Sequence, residues 1–399
     1  VANLSPERGE TPINLWHLGR VRVLQALTES SELSRAELVQ RTGLARATVG
    51  SVVYDLIGAG LVVETATAAT RTGRPPQLLS LAADGAYAIG LDIGHDHVRA
   101  VRTDLVGTSR WDHTVPLAVD EDPGGALDTA VDLVAQATAD VPGDRILGVG
   151  LGIACPVDAG SGDLYAQDIM PGWVGARPAA TLAERTGLPV RIINDANACV
   201  LAERRFGAAR DCANVVYVRL SSGIGAGVVC DGRMLTGHHG LAGELGHITV
   251  QPRGELCRCG NRGCLETVAS PTTITALLSR GRGRPVSPAE LDALLDAGDQ
   301  GARRAVEDAA DAVGRALAPT VMLLNPELVV VGGDLSTAGE TLLAPMRRTL
   351  TRLVMTSHNR ALRIVAGALG DSAGVRGAAA LVLETAAQRL GATDRKPAA

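Results

Sequence analysis

Cys257-Arg258-Cys259-Gly260-Asn261-Arg262-Gly263-Cys264 places three thiols within eight residues, and His247 stands ten residues before the first of them. Three sulfurs and one imidazole are a standard tetrahedral ligand set for structural zinc. Gly260 and Gly263 let the backbone turn tightly around an ion. A disulfide or a chance cluster competes with this reading, and the spacing favours the metal. Two carboxylates flank the knot: Glu244 lies three residues before His247, and Glu266 lies two after Cys264. A metal that fixes two carboxylates builds the wall of a pocket for a polar ligand. Upstream, Asn194-Asp195-Ala196-Asn197 gathers more amide and carboxylate groups. Taken alone, Asn194 and Asp195 also suit a simple turn.

The elements that position these groups belong to a chain of 399 residues, long enough for two or three domains. Its residues are 46% hydrophobic but only 2% aromatic, so its cores must be built from Leu, Val, Ile and Ala. A net charge of −5 excludes whole-chain attraction to nucleic acid, and any DNA contact must come from a local surface. No apolar run suggests a membrane span. Residues 1–10 are polar and lack the apolar stretch of a signal peptide. Seven cysteines, three of them in the knot, suit a reducing, cytoplasmic setting. Cys155, Cys199, Cys212 and Cys230 read as buried thiols.

Within the first eighty residues, 15–27 carry apolar residues at helical spacing. Ser34-Arg35-Ala36-Glu37 is a capping box that opens a second helix to about Arg41. Thr42-Gly43-Leu44 makes a turn, and residues 45–57 form a third helix ended by Gly58 and Gly60. A strand at 61–64, a small-residue stretch, and a strand at 77–81 complete a hairpin. The order is that of a winged helix-turn-helix. The third helix is the one that would enter the major groove. Val49, Val52, Val53 and Leu56 form its core side, leaving Arg46, Ala47, Thr48, Gly50 and Ser51 to face DNA. Arg46 suits a guanine edge or a phosphate, and Thr48 a phosphate or a thymine methyl. Arg71 and Arg74 sit on the wing, where Pro75-Pro76 stiffens the backbone and arginines suit a narrow minor groove. Five arginines (Arg35, Arg41, Arg46, Arg71, Arg74) against three acids between Ser34 and Gln77 leave this module at only +2. Such a weak charge calls for a dimer on two half-sites about 34–36 Å apart. A helical protein-interaction module is the alternative.

From residue 86 the pattern changes. Strands at 86–92, 98–103, 111–117, 146–153 and 190–193, with helices at 123–139 and 182–186, form one α/β unit. Strands at 215–220, 225–229, 247–250 and 328–331, with helices at 272–279, 288–295 and 301–322, form a second. Two similar halves place a ligand in the cleft between them. The tail after Ala392 reads as disordered.

These residues and motifs, in this order, resemble the ROK family (repressors, open reading frames and sugar kinases), and more narrowly its transcriptional repressors. The likeness runs through Arg35-Ala36-Glu37-Leu38, Thr42-Gly43-Leu44, Ala47-Thr48-Val49 and Gly73-Arg74-Pro75-Pro76. It continues through Pro171-Gly172-Trp173, Asn194-Asp195-Ala196-Asn197, Gly243-Glu244-Leu245-Gly246-His247 and the cysteine knot with Glu266. The resemblance implies a winged helix-turn-helix domain at 1–82 and a two-lobed, actin-like sugar-binding domain at 83–399. Lobe one would take in about 83–193 plus a C-terminal helix at 377–391, and lobe two about 194–376. It further implies that Asn194, Asp195, Glu244, His247 and Glu266 contact sugar hydroxyls. One structural zinc would sit on His247, Cys257, Cys259 and Cys264. His247 would give one ring nitrogen to the metal and the other to the sugar.

In kinases of the family the residue matching Asp195 is the general base. Here the first phosphate loop departs from the kinase pattern. Asp92-Ile93-Gly94 is followed by His95 and Asp96, where a glycine and a threonine are expected, so ATP is not an expected ligand. Ser222, Gly223 and Gly225 keep a second loop, and Gly332-Gly333 a third. Cys155 stands where the family has glycine. The resemblance thus implies a sugar-responsive repressor of carbohydrate genes. Its expected partners are operator DNA, a sugar or sugar-phosphate effector, and a second copy as homodimer or dimer of dimers. A hexokinase-type kinase with an added DNA-binding module is the alternative, as is control by a protein partner.

Overall fold

The structure is a computed structural model that describes residues 15–30, 32–66, 77–158 and 160–392. The readings made on residues 1–10, on the wing with Arg71 and Arg74, and on the tail after Ala392 lie outside the described residues.

The N-terminal module comprises α1 (Leu15–Glu29), β1 (Leu33–Ser34), α2 (Arg35–Thr42), α3 (Arg46–Gly58), β2 (Val62–Ala66) and β3 (Gln77–Leu81). Its strands form an antiparallel sheet in the order β1-β3-β2. The capping box is present: Ser34 accepts from the Glu37 N–H, and Glu37 accepts from the Ser34 N–H at 2.7 Å. Gly43 ends α2 at φ 67°, a left-handed conformation that favours glycine. Val49, Val52, Val53 and Leu56 of α3 are buried, as their spacing requires.

Two five-stranded sheets follow. The first uses β4 (Tyr87–Ile93), β5 (His97–Asp104), β6 (Ser109–Pro116), β7 (Ile146–Ile153) and β8 (Val190–Asn194), in the order β6-β5-β4-β7-β8. Helices α4 (Pro123–Thr138) and α5 (Pro178–Thr186) cover one of its faces. After β8 comes α6 (Asp195–Phe206), and then the second sheet begins with β9 (Val215–Leu220), β10 (Ile224–Cys230) and β11 (Arg233–Met234). Helices α7 (Glu266–Ala269), α8 (Pro271–Arg282), α9 (Pro288–Asp296) and α10 (Gln300–Leu324) lead to β12 (Leu328–Gly332). The chain ends with α11 (Glu340–Leu353), α12 (Thr356–Asn359), β13 (Arg363–Ala366), α13 (Ala373–Leu383) and α14 (Ala386–Ala392). The second sheet runs β11-β10-β9-β12-β13. Each sheet thus pairs three antiparallel strands with two further parallel ones, the repeat expected from the sequence.

Small residues bring the two halves together. A Cβ on Gly90 or Gly150 would fall 2.1 Å from Val375 O and 1.8 Å from Ala378 O, so α13 lies directly on the first sheet. A Cβ on Gly227 would meet Ala196 O at 2.4 Å, which seats α6 equally closely on the second. Helices α6 and α13 pack on each other between the sheets, with Gly377 against Ala198 O. The N-terminal module is not a separate bead. Val23, Leu24, Leu27 and Leu56 share one apolar core with Val375, Ala379, Leu383 and Leu390 of α13 and α14.

One expected strand is absent. Residues 247–250, rich in β-branched side chains, form the end of a 3-10 turn and a single bridge, Thr249 to Cys264. The hydrogen bonds of this segment go to the knot, with Val250 N–H to Gly263 O at 2.8 Å, and not to a sheet. Cys155, Cys199 and Cys212 are buried, whereas Cys230 is only half-buried.

Candidate functional site

Strand β8 runs directly into α6 at Asn194-Asp195, which presents the first turn of that helix to the cleft. Asn194 is the N-cap: its Oδ1 accepts from the Ala196 and Asn197 N–H groups at 3.0 and 3.2 Å. Its Nδ2 donates to Cys155 O at 3.3 Å and to Asp195 Oδ1 at 3.0 Å. An amide has two donors and one acceptor oxygen. Asn194 lines the cavity with all of these engaged, so it shapes the site and holds Asp195. Asp195 Oδ1 also accepts from the Ala196 N–H at 2.7 Å. Its Oδ2 pairs with Arg219 of β9 at 3.2 Å.

Around Asp195 lies a cavity of about 440 Å³, counted to its open mouth. Its walls include His95, Cys155, Arg219, Glu244, His247, Arg258 and Glu266. Glu266 accepts from the Ile224 N–H at 3.0 Å and pairs with Arg258 at 3.0 Å. Arg258 also donates to Ile169 O at 3.5 Å. The knot residue therefore ties Glu266, the Gly223–Gly225 backbone and the opposite wall together. Glu244 is the least engaged carboxylate, with His247 Nε2 3.9 Å away. Burial, then the charges of Asp195 and Glu266, push its carboxyl up to about 7. Burial, then the charges of Asp195 and Glu244, push the Cys155 thiol up to about 12, so it is a neutral wall group.

Behind Glu244, the donor atoms of His247, Cys257, Cys259 and Cys264 all lie within 4.8 Å of one another. His247 Nδ1 is 3.5 Å from Cys257 Sγ, and Cys259 Sγ is 3.6 Å from Cys264 Sγ. With metal–sulfur bonds of about 2.3 Å, a zinc tetrahedron has edges of about 3.8 Å. The four residues thus fit a zinc ion, Nδ1 inward and Nε2 toward the cavity.

A second cavity adjoins the first. Asp92, Asp96, His97, Arg99, Arg219, Ser221, Gly333, Asp334 and Asp371 are among its walls. Here His95 and His97 face different cavities. His95 turns to Asp120, 2.9 Å from Nδ1, and lines the first cavity. His97 is the residue over the Gly94 turn, where a Cβ would fall 2.5 Å from its ring. Its partners Asp92, 3.8 Å from Nε2, and Asp96, 2.8 Å from Nδ1, outweigh its burial and raise it to about 9, with the Asp92 carboxylate the largest influence. Ser222 is exposed, while Gly333 takes φ 85° beside Leu220 O. Gly332 leaves room for the Tyr217 hydroxyl.

On α3, Arg46, Ala47 and Ser51 are exposed and Thr48 and Gly50 half-exposed. Tyr54 extends the same face at 82% exposure. Arg35 is not free in this way, because both carboxylate oxygens of Glu64 on β2 take its guanidinium.

Arg219, Arg258, His95 and Tyr54 are the site residues that sequence reasoning missed. A lone arginine inside the apolar run Val215–Leu220 was the available signal for the first. For the second it was a position between two metal-type cysteines.

The family described as ROK family matches residues 88–385. A glucokinase of Thermotoga maritima is 40% identical over 250 residues, covering 59% of this chain and 79% of the enzyme. A putative xylose repressor of Caldicellulosiruptor sp. is 29% identical over 381 residues, covering 92% of this chain and 95% of the repressor. Among solved structures, a ROK family transcriptional regulator described as a homolog of the E. coli MLC protein superposes with a TM-score of 0.78. It is 28% identical, and the alignment covers 94% of this chain and 98% of that one. The family match spans both sheets and the cleft, and the regulators align through the N-terminal helices as well: the chain belongs to the ROK family.

Proposed function

We propose that this protein is a sugar-responsive DNA-binding regulator, a repressor that leaves its operator when an unphosphorylated sugar fills the Asp195 cavity. The observation that carries the reading is the shared apolar core between α1 and α3 of the DNA-reading module and α13 and α14 of the sugar-binding body. A change in how the two halves sit therefore reaches the recognition helix. Repressor relatives that match nearly the whole chain support it.

The charges of the cavity support a neutral ligand. Both guanidinium groups in its wall are already paired, Arg219 with Asp195 and Arg258 with Glu266. Glu244 adds a further acid. Among the described residues a phosphate would meet carboxylates and no free guanidinium, whereas hydroxyls can both donate and accept. Zinc on the four-residue cluster would lock the Glu244–Glu266 wall and carry out no chemistry. Two copies would read two half-sites, which offsets the weak charge of one module. A thermal-shift screen of neutral sugars beside their phosphates tests the effector class, since a true ligand raises the melting temperature by mass action.

A sugar kinase is the second reading, favoured by the glucokinase relative and the retained Ser222–Gly225 loop. Against it, both Asp195 oxygens are engaged, one of them by a guanidinium, and four aspartates line the second cavity. ADP release across common hexoses, measured for the wild type and Asp195→Asn, decides between the two.

A further inference from the structure

Arg219 lines both cavities of the cleft. Its side chain is 16% exposed, and the guanidinium lies 3.2 Å from Asp195, whose side chain is 13% exposed. Burial opposes that charge, but the carboxylates of Asp195 and Asp92 hold it protonated. Asp92, across the second cavity at the end of β4, is 3% exposed, and its Oδ1 has no hydrogen-bond partner among the described residues. Its Oδ2 faces His97 Nε2 at 3.8 Å. A buried carboxylate oxygen without a donor is destabilising. A guanidinium carries five N–H donors on a long stem, and this one faces the same cavity.

We propose that Arg219 is a two-position latch on the sugar site: it pairs with Asp195 while the site is empty and turns to Asp92 when a sugar hydroxyl takes Asp195 over. The proposal rests on reading the first cavity as a sugar site. Asp195 and Arg219 both sit on elements packed with the second sheet, while Asp92 belongs to the first. The turn therefore replaces a contact within one half by a contact across the cleft, which is the differential interaction a ligand-driven change requires. Asp92 also abuts the first turn of α13, where a Cβ on Gly374 would lie 2.6 Å from Oδ2. Helix α13 runs on to α14, which packs on α1 of the DNA-reading module. Sugar occupancy thus acts on the helix that joins the body to its reading head.

Asp195→Asn removes the charge that holds Arg219 in the first position and so frees the guanidinium to turn without any ligand. The test is a thermal double-mutant cycle on the full chain, with Asp92→Asn introduced into the wild type and into Asp195→Asn. Asp92→Asn is expected to lower the melting temperature of Asp195→Asn by at least about 2 °C more than that of the wild type. Arg219→Gln in both backgrounds should abolish the difference. Equal shifts in the two backgrounds overturn the latch. Should Asp195→Asn fail to fold, Asp195→Ser leaves the guanidinium equally without its partner. Neither sugar nor DNA enters the experiment, so its failure leaves the reading of function untouched.

Discussion

Arg20 on α1 and Asp55 on α3 form an ion pair at 2.7 Å, and Arg20 also donates to Leu390 O of α14 at 3.1 Å. One side chain thus joins α3 of the N-terminal module to α14 at the C-terminal end of the two-sheet body. The two partners are unequally placed: Arg20 is 2% exposed and Asp55 33%. Removing Asp55 leaves a charge buried without its partner, whereas removing Arg20 leaves a carboxylate that water can reach. Asp55→Ala should therefore destabilise the protein by about 3 kcal/mol, and Arg20→Met by less. Chemical denaturation of both variants checks the order.

The knot should hold about one zinc per chain by metal analysis. Chelation should lower the melting temperature and weaken sugar binding together, because Arg258 and Glu266 are positioned by the same loop. Cys259→Ser should reproduce both effects. Sugar binding that survives complete zinc removal would leave the metal without its bracing role.

His97 gives a pH signature. Its protonated form is favoured in the fold, which raises it from an ordinary 6.5 to about 9. A raised cationic group contributes stability that is fully present below its unfolded value and is lost as pH rises through the folded one. The wild type should thus lose stability relative to His97→Asn between about pH 6.5 and pH 9. A constant difference across that window would contradict the Asp92–His97–Asp96 arrangement.

On the DNA face, Arg46→Ala should weaken operator binding about tenfold or more without changing the melting temperature, because Arg46 is exposed on α3. Arg35→Ala should behave differently. Its charge is taken by Glu64, so its loss acts through the packing of α2 on β2. Binding and melting measured on the same two samples separate the cases.

What was legible in the sequence was what lies contiguously along it. The cysteine knot, the α2 cap and the Asn194-Asp195 turn each sit within a few residues, and local rules suffice for them. Pairings made across the chain were not legible. Arg219 meets Asp195 from another strand, and Arg20 meets Asp55 and Leu390 from elements far apart in sequence. Neighbouring residues in a turn can also point opposite ways, which no periodicity reports. His95 stands where a glycine is expected after Gly94, yet its ring faces Asp120, and it is His97 that lies over the Gly94 turn. At 247–250 the β-branched composition suggested a strand, and the knot took its hydrogen bonds instead.

The central claim is that sugar in the Asp195 cavity controls DNA binding. Its most direct measurement is fluorescence anisotropy of the purified protein on the DNA upstream of its own gene, titrated with a panel of neutral sugars. One sugar should weaken binding by about 5–150-fold, and Glu266→Gln should abolish that response. Affinity that stays constant across the whole panel, or a sugar response unchanged in Glu266→Gln, would contradict the claim.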